Sequence, residues 1–170
     1  MTEFEKYIKR YFDLVPNENW IDEMIKIGNE TLDIYNQLSE ADANFAYDID
    51  KWSLKTLLQH LIDTERVFVY RALRFSRLDQ SIVSGFDENS WADRCGADDK
   101  ELMILIKEFD LVRQSTILFF EHSNKDSLEF EGRVHDNPIN AKTIGKLIVG
   151  HNIHHLNIIK ERYLPLIKKN

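Results

Sequence analysis

From Ile144 to Tyr163 the chain reads IGKLIVGHNIHHLNIIKERY, and this stretch restricts the fold more than any other. Wound at about 100° per residue, it gathers Ile144, Leu147, Ile148, His151, His155, Ile158, Ile159 and, just beyond, Leu166 on one apolar arc. Such an arc belongs to a helix that packs on a core. His151 and His155 occupy its middle, where a core-facing helix normally places leucine. A buried imidazole carries a donor and an acceptor, each costing roughly 1 to 3 kcal/mol if unsatisfied. Two explanations stay open. Each ring is a core histidine bonded to a carbonyl or carboxylate, or the two are ligands, since residues four apart project from successive turns of one face and can grip one ion. His154 lies at the edge of the arc. Val149, Ile153 and Leu156 form a second apolar stripe opposite, which fits either a central helix packed on the N-terminal one or a homodimer interface.

Four further helical patterns accompany it. Glu3 to Leu14 reads as a short amphipathic helix with Phe4, Tyr7, Ile8, Tyr11 and Phe12 on one side, stopped by Pro16. Asn17 is the expected cap of the first long helix, in which Trp20, Ile21, Met24, Ile25, Gly28, Leu32, Tyr35 and Leu38 recur at helical spacing. Gly28 weakens that helix by roughly 1 kcal/mol relative to alanine, which suits a position where another element comes close. After a polar connection over residues 39–52, Ser53 caps a second long helix from Leu54 to about Arg77. Its apolar arc takes in Leu54, Leu57, Leu58, Leu61, Ile62, Phe68, Val69, Ala72 and Leu73. His60 lies on the flank of this arc, with Thr64 and Arg71 on the same side further along. Glu65 projects from its centre, and a carboxylate there calls for a cation, a metal or hydrogen-bond donors. The expected partner is an arginine of a neighbouring helix such as Arg113.

Residues 78–98 read as irregular, with a helical turn near Asp87 to Trp91 and with Phe86 and Trp91 as covering side chains. The third long helix runs from Asp99 to about His122, with an acidic first turn. Leu102, Leu105, Ile106, Phe109, Val112, Thr116 and Phe120 face inward. Residues 123–140, with Gly132, His135 and Pro138, read as a second irregular connection. His135 is expected in solvent, and His122 beside the C-terminal carbonyls of the third helix.

The sum is an all-α four-helix bundle with a short extra N-terminal helix, one domain over residues 1–170. With 43% hydrophobic and 30% charged residues the composition is that of a globular protein. A net charge of −7 speaks against nucleic acid as a partner. One cysteine, Cys95, leaves no internal disulfide. No apolar run approaches the roughly 20 residues of a membrane span, so the expectation is a cytoplasmic protein with a small-molecule substrate and no membrane partner.

Bundles build metal sites from side chains on facing helices. The Glu-x-x-His motif of ferritin-like di-iron sites is absent, and Asn152 stands where a zinc protease of the HExxH type needs its glutamate. What remains is three nitrogen donors, His60, His151 and His155, with positions left open to water or substrate as in catalytic sites.

The segments KWSLKTLLQHLIDTERVFVYRALRFSR at 51–77, GFDENSW at 85–91 and GHNIHHLNIIKERYL at 150–164 resemble the DinB-like (DinB/YfiT) superfamily of bacterial metal-binding four-helix bundles. The resemblance extends over nearly the whole chain in helix order and spacing. It implies a metal triad of one histidine from the second long helix and an HxxxH pair from the last, falling on His60, His151 and His155. It also implies a divalent ion such as zinc or nickel. The activities it implies are transfer of a low-molecular-weight thiol of the bacillithiol type, hydrolysis, or noncatalytic metal binding in a stress response. For the thiol reaction, Arg71 is the candidate anchor of an anionic cofactor, because guanidinium pairs well with carboxylate.

Overall fold

The four long helices fall close to the predicted positions in a computed structural model that describes residues 1–16 and 18–167. They are α2 (Trp20–Tyr35), α4 (Leu54–Ser76), α6 (Leu102–Glu121) and α8 (Ala141–Ile158). In front lies α1 (Glu3–Phe12), opened by a capping box in which Thr2 and Glu5 bond each other's backbone N–H groups. Shorter pieces lie between: α3 (Glu40–Ala43), α5 (Glu88–Ala92) and α7 (Lys125–Leu128). A hairpin of β1 (Glu131–Val134) and β2 (Asn137–Asn140) precedes α8, and α9 (Leu164–Ile167) follows it. Asn17, the expected cap of α2, lies outside the described residues, and Asn19 holds the N-cap position without accepting a backbone N–H, its amide donating instead to the Asp22 carboxylate in the first turn.

Helix α4 packs against α6 and α8, and α2 packs across the same two. Helix α1 lies on α8 as well, so α8 is covered on three sides. Val149 and Leu156 of its second stripe are fully buried within the chain, so that stripe makes no demand for a second subunit. The approach of α1 requires Gly150, where a Cβ would sit 2.3 Å from the Tyr11 carbonyl oxygen.

Some boundaries and faces depart from the sequence expectation. The third long helix starts at Leu102 rather than Asp99 and has no acid in its first turn. The acid that serves it comes from α3, where Glu40 Oε1 accepts the Leu102 N–H at 2.7 Å. Asp98 is drawn instead to the start of α4, where its carboxylate accepts from the Ser53 and Thr56 hydroxyls, close to the positive end of that helix. Ser53 caps α4 as expected, its oxygen accepting the Thr56 N–H at 3.0 Å. Leu73 and Leu166 are 41% and 39% exposed, and Phe75, three residues beyond the buried Ala72, continues the core face of α4 instead. Beyond Ile158 the last helix widens into a π-helical stretch, Ile159–Tyr163, before α9. Pro165 has no N–H to give and its ring crowds the preceding turn, so the regular ladder ends ahead of it.

Residues 123–140 are not irregular. Beyond α7 they form the hairpin, in register Gly132↔Ile139 and Val134↔Asn137, and Val83 pairs with Val134 to tie residues 78–98 onto it. No helix among the described residues is long and apolar enough to cross a membrane.

Candidate metal centre

His60 comes from the middle of α4, and His151 and His155 from consecutive turns of α8. The two helices pack face to face, which brings the rings together. The Nε2 atoms of His60 and His151 are 3.0 Å apart, and those of His155 and His151 are 3.1 Å apart. One ligand atom from each ring lies within 4.8 Å of the others. His60 and His151 are buried and His155 is half-buried. The Trp52 ring covers His60, at 4.8 Å between centroids, and the Tyr11 ring meets His151 edge-on at 5.7 Å.

Burial decides the protonation of all three. It pushes the His60 imidazole down to about 4. It also holds His151 and His155 well below the ordinary histidine value, helped by the repulsion each would feel from the other rings if charged. All three are therefore neutral at pH 7, the form that binds metal. Hydrogen bonds between the rings do not satisfy this arrangement. A neutral sp² nitrogen carries either one hydrogen or one lone pair, yet His151 Nε2 faces two other Nε2 atoms at once. His155 Nδ1 is buried without a partner, so that ring gains nothing from directing its other nitrogen elsewhere. A cation accepting three lone pairs meets the geometry, since metal–nitrogen bonds of about 2.0 to 2.1 Å in a tetrahedron separate the donors by roughly 3.3 Å. The donor set suits zinc, nickel and similar divalent ions. Thr64 Oγ1 lies 3.5 Å from His60 Nδ1, on the side away from the convergence.

The remaining candidates have other places. Glu65 is no ligand: Arg113 donates from Nε at 3.0 and 3.1 Å and from Nη2 at 2.7 Å to its two oxygens, the pairing expected from the sequence. Arg113 also donates to the Met24 carbonyl at 3.0 Å and to Asn152 Oδ1 at 2.9 Å. Asn152 in turn donates to Thr31 Oγ1 at 3.0 Å. This buried network joins all four long helices and fixes the rotation of α8 one residue from His151. Gly28 makes room for it, because a Cβ there would meet Arg113 Nη1 at 3.0 Å.

His154 is half-buried, against the rings of Tyr11 and His155, and outside the converging set. His135 sits on the hairpin turn at φ 50°, where its Nε2 accepts the Gly85 N–H at 2.8 Å. His122 is the C-cap of α6. Arg71 is buried on α4 and donates through Nη2 to the Ser84 carbonyl at 2.8 Å. It reaches no histidine of the cluster. Tyr11 and Trp52 wall the site; the sequence marks Tyr11 only as an apolar position of the first helix and Trp52 only as the end of the polar connection over residues 39–52, and nothing in their spacing marks them further.

The profile of the DinB superfamily matches residues 26–159. Among solved structures, YfiT from Bacillus subtilis, described as a probable metal-dependent hydrolase with an unusual four-helix bundle topology, superposes with a TM-score of 0.78 at 13% identity. The match covers 88% of this chain and 86% of that one. At that identity it establishes a shared fold. No curated protein matches the sequence.

Proposed function

Because this chain belongs to the DinB superfamily, we propose that it is a metal-dependent enzyme whose divalent ion is held by His60, His151 and His155. The reaction proposed is transfer of a low-molecular-weight thiol of the bacillithiol type to an electrophilic small molecule. The observation that carries this reading is the convergence of three neutral imidazole nitrogens, since three protein ligands leave a position for a reacting group. A bound zinc or nickel ion supplies Lewis acidity, lowering the pKa of a coordinated thiol or water so that its anion is available at neutral pH.

The chain's own residues supply the rest. Helices α4 and α8 hold the three rings, and the network around Arg113 keeps α8 from rotating. Tyr11 and Trp52 exclude water from one side of the donors. In the transfer an S–C bond forms as the acceptor's leaving group departs, and the thiol proton passes to a base. His154 is the proposed acceptor: it adjoins His155, and burial keeps it neutral at pH 7. Arg71 is the proposed anchor for an anionic group of the reacting molecules.

A second reading, hydrolysis with water in place of the thiol, is favoured by the description of YfiT. One assay separates them. Metal-loaded protein is given a bacillithiol-type thiol with an alkylating acceptor, and separately an ester or amide without thiol. Thiol-dependent turnover that disappears in His151→Ala supports the transferase. Thiol-independent turnover with the same sensitivity supports the hydrolase. Stoichiometric metal without either turnover makes the protein a noncatalytic metal binder.

A further inference from the structure

Arg71 differs from the other deeply buried arginine. Arg113 is neutralised by Glu65, whereas Arg71 is only 8% exposed and among the described residues no carboxylate lies within ion-pair distance of it. Its guanidinium lies over two aromatic rings, 5.9 Å from the centroid of Phe68 and 5.7 Å from that of Phe86. Of five N–H donors, the Ser84 carbonyl engages one nitrogen. A buried cation needs an anion, and this one borders a cavity.

The cavity has a volume of about 230 Å³, below the roughly 300 Å³ at which sites for drug-sized ligands begin. Apolar side chains dominate its wall, among them Phe4, Phe86, Ile144 and Leu147, while Tyr7 and Arg71 supply polar groups. Burial raises the Tyr7 phenol far above its usual range, so its hydroxyl remains a hydrogen-bond donor at any working pH. The wall is built rather than left over. The Val83 bridge to Val134 and the Gly85 bond to His135 hold residues 83–86 against the hairpin. At Gly85 a Cβ would come within 2.8 Å of His135 Nε2, so a side chain there would push that ring off its bond to the Gly85 N–H.

We infer that this cavity binds the carboxylate end of a small apolar acid, with Arg71 gripping the anion beside Tyr7 and the acid's hydrocarbon part lying against Phe4, Phe86 and Leu147. Among the described residues no other cation lines the space, and Glu88 stands at its rim, so a singly charged carboxylate fits better than a phosphate dianion. His60 and Arg71 are eleven residues apart on α4, close to three whole turns, so both lie on one face and roughly 16 Å apart along the axis. The ring of Phe68 stands between, against Arg71 on one side and 6.3 Å from the His151 ring on the other. The assignment rests on the reading of Arg71 as an anion anchor and gives that anion a chemical class, but it does not require the metal.

The test titrates benzoate, its neutral isostere benzamide, and inorganic phosphate into chelator-treated and zinc-loaded protein, followed by two-dimensional amide NMR. Benzoate is expected to bind both forms with shifts centred on residues 84–88, and benzamide at least about tenfold more weakly. Arg71→Met should abolish that preference without lowering the melting temperature, because it removes an unneutralised buried charge. Arg71→Lys, which keeps the charge and loses the planar fork, should bind benzoate about five- to tenfold more weakly, and it decides the matter if the methionine variant does not fold. Equal binding of benzoate and benzamide, phosphate binding tighter than benzoate, benzoate binding confined to the zinc-loaded form, or unchanged binding in both variants would each overturn the assignment. Benzoate binding to chelated protein survives a failure of the metal reading, so the two stand or fall separately.

Discussion

Replacing Arg113 by methionine tests whether the buried network holds the metal-bearing helices in place. Arg113 and Glu65 are both 3% exposed, so removing the cation strands a carboxylate in the core, at a cost of about 3 to 5 kcal/mol. The Met24 carbonyl and Asn152 Oδ1 lose a donor as well, about 1 kcal/mol each, which places Arg113→Met at the upper end of that range. Glu65→Met leaves a guanidinium that still reaches those two acceptors and should sit near the lower end. The double variant carries no stranded charge, only the two orphaned acceptors, and should lose about 2 kcal/mol. The coupling between the sites is then at least about 4 kcal/mol. Urea unfolding followed by circular dichroism reads this as midpoint shifts at unchanged slope. In heat, Arg113→Met should melt roughly 10 °C or more below the parent. A double variant as unstable as the two single losses combined, or an Arg113→Met within about 1 kcal/mol of the parent, would refute the reasoning.

Other outcomes follow from the same geometry. In metal-free protein the depressed histidines bind fewer protons folded than unfolded, so their stabilisation is complete above about pH 6.5 and is lost as pH falls through their folded values. For His60, held at about 4, the loss between pH 6.5 and 4 is on the order of 3 kcal/mol. It should flatten in His60→Phe when unfolding is measured across that range. Gly150→Ala drives a methyl into the Tyr11 carbonyl and should cost about 1 to 3 kcal/mol, with faster amide exchange concentrated in α1. Chelation should lower the melting temperature of metal-loaded protein, since an ion present at a thousand times its dissociation constant contributes about 4 kcal/mol. A parent whose melting is indifferent to chelator would contradict this.

The frame was legible in the sequence because it rests on period and caps. The apolar recurrence in α2, α4, α6 and α8, the cap at Ser53 and the stop ahead of Pro16 depend on neighbours in the chain. The pairing of Glu65 with Arg113 was legible for a different reason: a carboxylate at the centre of an apolar arc needs a partner, and an arginine on a neighbouring helix supplies one. The His60, His151 and His155 convergence followed from spacing within α8 together with a resemblance, since nothing local to His60 says which helix it faces. What stayed hidden depends on partners far along the chain. Glu40, which accepts the first N–H of α6, and Asp98, which accepts from the hydroxyls at the start of α4, are acids acting on helices other than their own, and no window around Leu102 or Ser53 reveals that. The hairpin at 131–140 was missed because its strands are four residues each, too short for alternation to register. Leu73 and Leu166 were misjudged at arc edges, where a small rotation turns a side chain outward.

X-ray absorption at the zinc edge, on the zinc-loaded parent and its His60→Ala variant, tests most directly the claim that three imidazoles from two helices share one cation. The account predicts one ion per chain with three imidazole nitrogens at about 2.0 to 2.1 Å and at least one ligand from outside the protein, and a depleted nitrogen shell with weakened binding in the variant. An unchanged spectrum and occupancy in His60→Ala, or a shell completed by protein carboxylate, would contradict it.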